Sequence, residues 1–230
     1  MNELISNSAL FGLIVSIAAY EIGLFIKKKF RLAVFNPLLI AIFIIILFLL
    51  GFNIQYDEYN RGAKYLSYLL TPATICLAIP LYEQLEFLKK NVKAILAGII
   101  SGVITSMTTI LILSILFNFN HREYVTLLPK SITTAIGIDV STELGGIVTI
   151  TVAVIIITGV LGNIMAEKVC KLFKINEPVA RGVAIGSSAH AIGTAKAMEM
   201  GAIEAAISSL SIVVAGIITV FGVSVYANFM

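Results

Sequence analysis

Pro129 is followed by Lys130, Ser131, Thr133 and Thr134, a polar block set between long apolar runs. An ammonium beside three hydroxyls, close to where a helix can restart, suits an anion. The cation neutralises a carboxylate, free backbone N–H groups at a helix start favour it, and hydroxyls bond an adjacent oxo or hydroxy group. A second polar block, Ser187, Ser188, His190 and Thr194, interrupts the apolar stretch 178–200, and Thr71 and Thr74 flank Pro72 in a third. An ionisable side chain inside a bilayer is costly and marks function by default. Lys130 is therefore read as the carboxylate partner. His190 is read as a hydrogen-bond donor or carrier of a coupled proton, with Asp139 as a further proton-coupling candidate. Each has a plainer alternative. Lys130 and Lys196 can snorkel to an outer surface, His190 can make an interhelical hydrogen bond, and Asp139 with Glu143 can be solvated charges at an outer mouth. No Cys/His metal spacing, phosphate loop or placeable Ser-His-Asp set is present. Cys76 and Cys170 read as small packed hydrophobes. Neither an enzyme nor a cofactor nor a metal is expected.

The three blocks must be held by elements that are poor membrane helices. Pro72, Pro80 and Pro129 each remove a backbone donor and crowd the preceding turn. Gly186 and Gly193, with the serines of the second block, permit an unwound stretch. Irregular backbone at membrane depth survives only where protein or a watery cavity covers it, so these segments face inward. Short side chains around the site suit a carboxylate of two or three carbons.

The rest of the chain supplies that cover. Of 230 residues, 59% are hydrophobic and 13% charged, and the mean hydropathy is +1.01. A bilayer, not a soluble core, takes up that much apolar surface. The net charge of +3 is accounted for by loop lysines and argues against nucleic acid. With about 20 apolar residues per span, helices are expected over 9–26, 34–52, 65–82, 94–117, 147–166, 178–200 and 205–227. The expectation is an all-α polytopic membrane protein of about seven spans, with a re-entrant segment at 127–143. Three basic clusters (Lys27, Lys28, Lys29 and Arg31; Lys89, Lys90 and Lys93; Lys168, Lys171 and Lys174) belong on the cytoplasmic side. The segment before the first span carries no Lys or Arg, so it is expected outside, with the 118–124 and 200–204 loops outside and the C-terminal end inside.

Two internal matches compete within one domain, 1–230. Arg61-Gly62 with Ala97-Gly98-Ile99-Ile100 matches Arg181-Gly182 with Ala215-Gly216-Ile217-Ile218, giving an inverted repeat of 34–117 and 147–227. The other sets Pro72 on Pro129 and Ser101-Gly102-Val103 on Thr158-Gly159-Val160. The first is preferred because it agrees with the charge-derived sides.

The same segments resemble the LrgB/CidB family of bacterial membrane proteins, whose relatives include half of a plant plastid glycolate/glycerate transporter. Asn36-Pro37-Leu38-Leu39-Ile40, Pro72-Ala73-Thr74, Pro80-Leu81-Tyr82, the Pro129–Thr134 block, Gly145-Gly146-Ile147, Pro178-Val179-Ala180-Arg181-Gly182 and His190 with Ile192-Gly193-Thr194-Ala195 carry the resemblance along nearly the whole chain. The chain departs at Ala135, where the family has Pro, at Ala189 and Ala191, where it has Ser and Gly, and at Lys196, where it has Arg. Loss of Gly beside His190 weakens the case for a sharp break there, and Lys for Arg removes a bidentate clamp. The resemblance implies a bacterial cytoplasmic-membrane protein working with a small LrgA/CidA-type membrane partner. Its implied role is transport of a small monocarboxylate of the pyruvate, glycolate or glycerate class, by an elevator-like exchange of access, or antiholin/holin-like control of murein hydrolase export and autolysis. The expected partners are the lipid bilayer, that small protein, a carboxylate anion and, for a pore, further copies of the chain as a homo-oligomer.

Overall fold

The structure, a computed structural model, describes residues 10–30, 35–76 and 78–230. The described residues form helices and no strand, as hydrocarbon demands of segments that must satisfy their own backbone groups. The chain divides into two compact units, Met1–Cys76 and Leu77–Met230.

In the first unit α1 (Phe11–Phe30) packs against α2 (Pro37–Gly51). Asn36 caps α2, its side-chain oxygen accepting from the Leu38 and Leu39 amides at 2.9 and 3.3 Å, with Pro37 in the first turn. Between the expected spans 34–52 and 65–82 the chain forms a helix, α3 (Tyr56–Ala63), with Asp57 and Glu58 in its first turn, where carboxylates are favoured. A 3-10 segment (Lys64–Leu69) and α4 (Leu70–Cys76) complete the unit. The span expected over 65–82 is therefore not continuous. It consists of short pieces, the last being α5 (Ala78–Glu83) of the second unit. Pro72 and Pro80 each fall in the first turn of a new helix, the place where a missing N–H is tolerated. The expected span starts at 9 and 34 lie outside the described residues.

The second unit continues with α6 (Leu85–Leu116), α7 (His121–Leu127), α8 (Thr134–Glu143), α9 (Val148–Leu172), α10 (Pro178–Met200) and α11 (Ala202–Tyr226). Among the described residues three helices are long and apolar enough to cross a membrane, Leu88–Leu116, Val148–Leu172 and Ala202–Phe229. These coincide with α6, α9 and α11. The polar segments between them are helical hairpins.

Hairpin one consists of α7 and α8, with the Pro129–Thr133 stretch at its tip. At its base the Thr151 hydroxyl lies 2.9 Å from the Thr126 carbonyl and 2.8 Å from the Ser141 hydroxyl, while the Ile147 amide donates to the Thr126 hydroxyl at 2.8 Å. Deeper in, Ile155 of α9 lies directly over Gly137 of α8. The segment expected to dip and return is this hairpin.

Hairpin two is α10. Its backbone leaves the helical region at His190 (φ 41°, ψ −141°), and beyond that point the chain doubles back. A Cβ on Gly193 would stand 3.1 Å from Ile185 Cγ2, whereas eight residues of straight helix would separate them by about 12 Å. Thr194 reaches Ser208 at 2.7 Å, and Lys196 comes within 3.5 Å of Glu167 near the end of α9. The stretch 178–200 therefore does not cross, contrary to expectation, and Lys196 lies beside the lysine-bearing end of α9 and not at an outer surface. The charge rule could not detect this, because the 200–204 loop carries no Lys or Arg. One consequence concerns sides. The Met230 carbonyl accepts from His121 Nδ1 at 2.6 Å, and the Tyr124 hydroxyl donates to the Tyr226 carbonyl at 2.9 Å. Met230 thus shares a face with Asn120, where opposite faces were expected.

A shift of 57 positions carries α6, hairpin one and α9 onto α9, hairpin two and α11 (121–143 onto 178–200, Gly102 onto Gly159, Gly159 onto Gly216). The two hairpins enter from opposite faces, so the repeat is inverted. The order of elements in this unit fits the Ser101-Gly102-Val103 match.

Candidate functional site

The hairpin tips meet along α6. Val183 packs over Gly98, and Ser187 lies over Gly102 with its hydroxyl 3.1 Å from where a Cβ would stand. One turn on, about 6 Å, the Ser106 hydroxyl is 3.1 Å from that of Ser131. Two tips entering from opposite faces therefore arrive at neighbouring levels near the middle of α6.

At tip one, half-buried Lys130 donates to Ser131 Oγ at 2.9 Å. Thr133 is the N-cap of α8, but its side chain makes no capping bond, and Thr134 opens the helix half-buried. An ammonium thus stands beside a helix start whose first amides have no side-chain cap, a favourable setting for an anion. Asp139 and Glu143 are exposed along α8, away from the tip.

At tip two, His190 is 3% exposed and its Nε2 donates to the Ile155 carbonyl at 3.0 Å. This is the interhelical bond that the sequence left as an alternative to substrate contact. The ring lies over Gly159, where a Cβ would sit 2.7 Å from a ring carbon. Thr194 is fully buried between the His190 carbonyl (3.0 Å) and Ser208 (2.7 Å), so it joins the returning arm to α11 and faces no open space. Ser187 and Ser188 donate to the carbonyls four residues back, and Ser188 is exposed. Lys196 pairs with Glu167 and Glu199. The side chains of Thr71 and Thr74 lie outside the described part of the structure. Among the described residues no three His, Cys, Asp or Glu side chains gather as a metal site requires.

A cleft of about 600 Å³ runs between α6 and the first arm of hairpin two, from Asn91 and Glu177 at the lysine-bearing face to Gly102, Ser187 and Ser188. Its size is that of a small-molecule site.

The profile of the LrgB-like family matches residues 16–229. The chain belongs to that family. Relatives include the antiholin-like protein LrgB of Bacillus subtilis (strain 168), 38% identical over 222 residues, covering 96% of each chain. The proteins of the same name from Bacillus mycoides (strain KBAB4) and Bacillus cereus (strain B4264) are each 37% identical over 221 residues, again covering 96% of each chain. No solved structure matches.

In this LrgB-like chain, sequence reasoning overlooked Ser106, Asn163 and the Arg181–Glu204 pair. Asn163 of α9 donates to the Ile192 carbonyl at 2.8 Å and so holds the returning arm of hairpin two. Arg181 stands 3.8 Å from buried Glu204 and donates to the Ile175 carbonyl at 2.8 Å, fixing the base of the same hairpin. A polar residue inside an apolar run was the available signal for Ser106 and Asn163.

Proposed function

We propose that this LrgB-like protein is a carrier of a small monocarboxylate across the bacterial cytoplasmic membrane, acting with a small LrgA/CidA-type partner. The supporting observation is the pair of helical hairpins entering from opposite faces, with Lys130, Ser131 and the uncapped start of α8 at one tip and Ser187 and Ser188 at the other. Carriers built on inverted repeats bind at such discontinuities and exchange access by moving one part against another. In this reading Lys130 neutralises the carboxylate, the hydroxyls of Ser131, Thr133, Thr134 and Ser188 bond its neighbouring oxygen, and His190 keeps the tip in shape. The lysine-bearing face is cytoplasmic by the charge rule, which puts Asn120 and Met230 outside.

A second reading follows from the relatives' name, antiholin-like, which supports it more directly than it supports carriage. The protein would then restrain murein hydrolase export through an oligomeric membrane assembly. Uptake of labelled pyruvate and glycolate into proteoliposomes, with and without the small partner, separates the two. Saturable uptake that Lys130→Ala removes favours the carrier. A leak shared by unrelated solutes and indifferent to Lys130 favours the regulator.

A further inference from the structure

The two repeats share a plan but not a state. Each position lining the cleft has a counterpart 57 residues away, between α9 and hairpin one. The counterparts of Ala94, Gly98, Gly102, Ala184 and Ser188 are more buried, whereas those of Val179 and Ser187 (Arg122 and Lys130) are less so. Ala94 is exposed, whereas Thr151 is 0% exposed; Gly98 is half-buried, whereas Ile155 is 0% exposed. Ala184 and Ser188 are exposed, whereas Leu127 and Ser131 are half-buried. Where the second cleft would lie, Thr151 is bonded to the Thr126 carbonyl at 2.9 Å. The matching pair, Ala94 and Val183, lines the open cleft. The open cleft is also polar at both ends, with Asn91 and Glu177 at its mouth and Ser187 and Ser188 at its floor. The backbone break at His190, two residues beyond exposed Ser188, is tolerated at membrane depth only where protein covers it or a watery cavity reaches it.

We infer that this cleft is a water-filled path from the lysine-bearing face to the hairpin tips, taken by the small carboxylate. The region between α9 and hairpin one is the same path in its closed form. The second state arises when the repeats exchange conformations. Ala94 then closes against Val183 as Thr151 now closes against Thr126, and Lys130, the counterpart of Ser187, opens to water on the Asn120 face. This inference rests on the carrier reading and supplies its route and the direction of opening.

The test uses single cysteines in a chain carrying Cys76→Ser and Cys170→Ala, in membrane vesicles of both orientations, with a charged, membrane-impermeant thiosulfonate. Ala184→Cys is expected to react from the lysine-bearing face about tenfold faster than Leu127→Cys reacts from the Asn120 face, since a thiol reacts only where water and reagent reach it. Ser188→Cys serves equally if Ala184→Cys fails to accumulate. Equal rates, or reaction of Ala184→Cys with a lipid-soluble maleimide alone, would overturn the inference. A copper-oxidised Ala94→Cys, Val183→Cys pair is expected to suppress labelling at Ser188→Cys and raise it at Leu127→Cys; unchanged labelling at both would overturn the exchange. Labelling reads water access and not uptake. Asymmetric labelling without uptake therefore retires the carrier reading and leaves the path, whereas uptake with symmetric labelling retires the path alone.

Discussion

His190 occupies backbone that only glycine adopts freely, and it does so with a buried hydrogen bond to the Ile155 carbonyl. Such strain costs about 1–3 kcal/mol, and the bond returns about 1 kcal/mol. His190→Gly removes both, while His190→Ala keeps the strain and loses the bond. The glycine variant is therefore expected to be the more stable of the two by about 1–2 kcal/mol, read as thermal unfolding in detergent. An alanine variant of equal stability would mean that the turn is not strained. Lys130 acts differently, because its ammonium is half-buried beside Ser131 and packs nothing apart. Lys130→Ala is expected to leave membrane insertion intact and to weaken carboxylate uptake by about 3 kcal/mol, roughly two orders of magnitude in apparent affinity. At this scale the sequence was readable only in part. A lysine among hydroxyls after a proline stood out against apolar runs. Thr194 looked equivalent to Thr133 in kind, yet one is sealed against Ser208 and the other starts a helix at a tip. Residue type does not say which side of a helix its neighbours will cover.

Between elements, glycines set how closely spans and hairpins approach. A Cβ at Gly159 would stand 2.7 Å from the His190 ring, which its own hydrogen bond holds in place. At Gly102 it would meet the Ser187 hydroxyl at 3.1 Å, and at Gly51 it would meet nothing within 4 Å. Overpacking a fixed neighbour costs about 1–3 kcal/mol. Stability in detergent is expected to fall in the order Gly51→Ala, Gly102→Ala, Gly159→Ala, with the last most impaired; an inverted order would mean that His190 yields easily. The three long spans were legible from apolar length, the broken stretch 65–82 was not, and the interruption of 178–200 was legible from its Gly and Ser content. The direction taken after the interruption was not, because one residue's φ and ψ decide it and composition is silent on them. The match of 34–117 to 147–227 draws on Gly and Ile, which are frequent in this chain, and so carries little weight by itself. The 57-residue match reaches from span to hairpin to span.

At the scale of the second unit, hairpins leave the count of crossings unchanged. Three spans therefore deliver Met230 to the face of Asn120. Cysteines placed at Asn120 and at Asn228 are expected to be labelled from the same side of the membrane, and Lys174→Cys from the other. Labelling of Asn228→Cys together with Lys174→Cys would mean that 178–200 crosses after all.

The bonds that tie hairpin one to the C-terminal end also impose an order of manufacture. His121 waits for Met230, 109 residues further along, and Tyr124 waits for Tyr226. When the ribosome has finished α9, the first hairpin is already made and its tip can bond to Ser106 of α6, but its outer rim still lacks the partners of His121 and Tyr124. Its final docking must therefore follow emergence of the last helix. The earliest hairpin to be synthesised thus makes its last two rim bonds only when the chain is finished, and a ribosome stalled within α11 would leave it held by α6 and α9 alone.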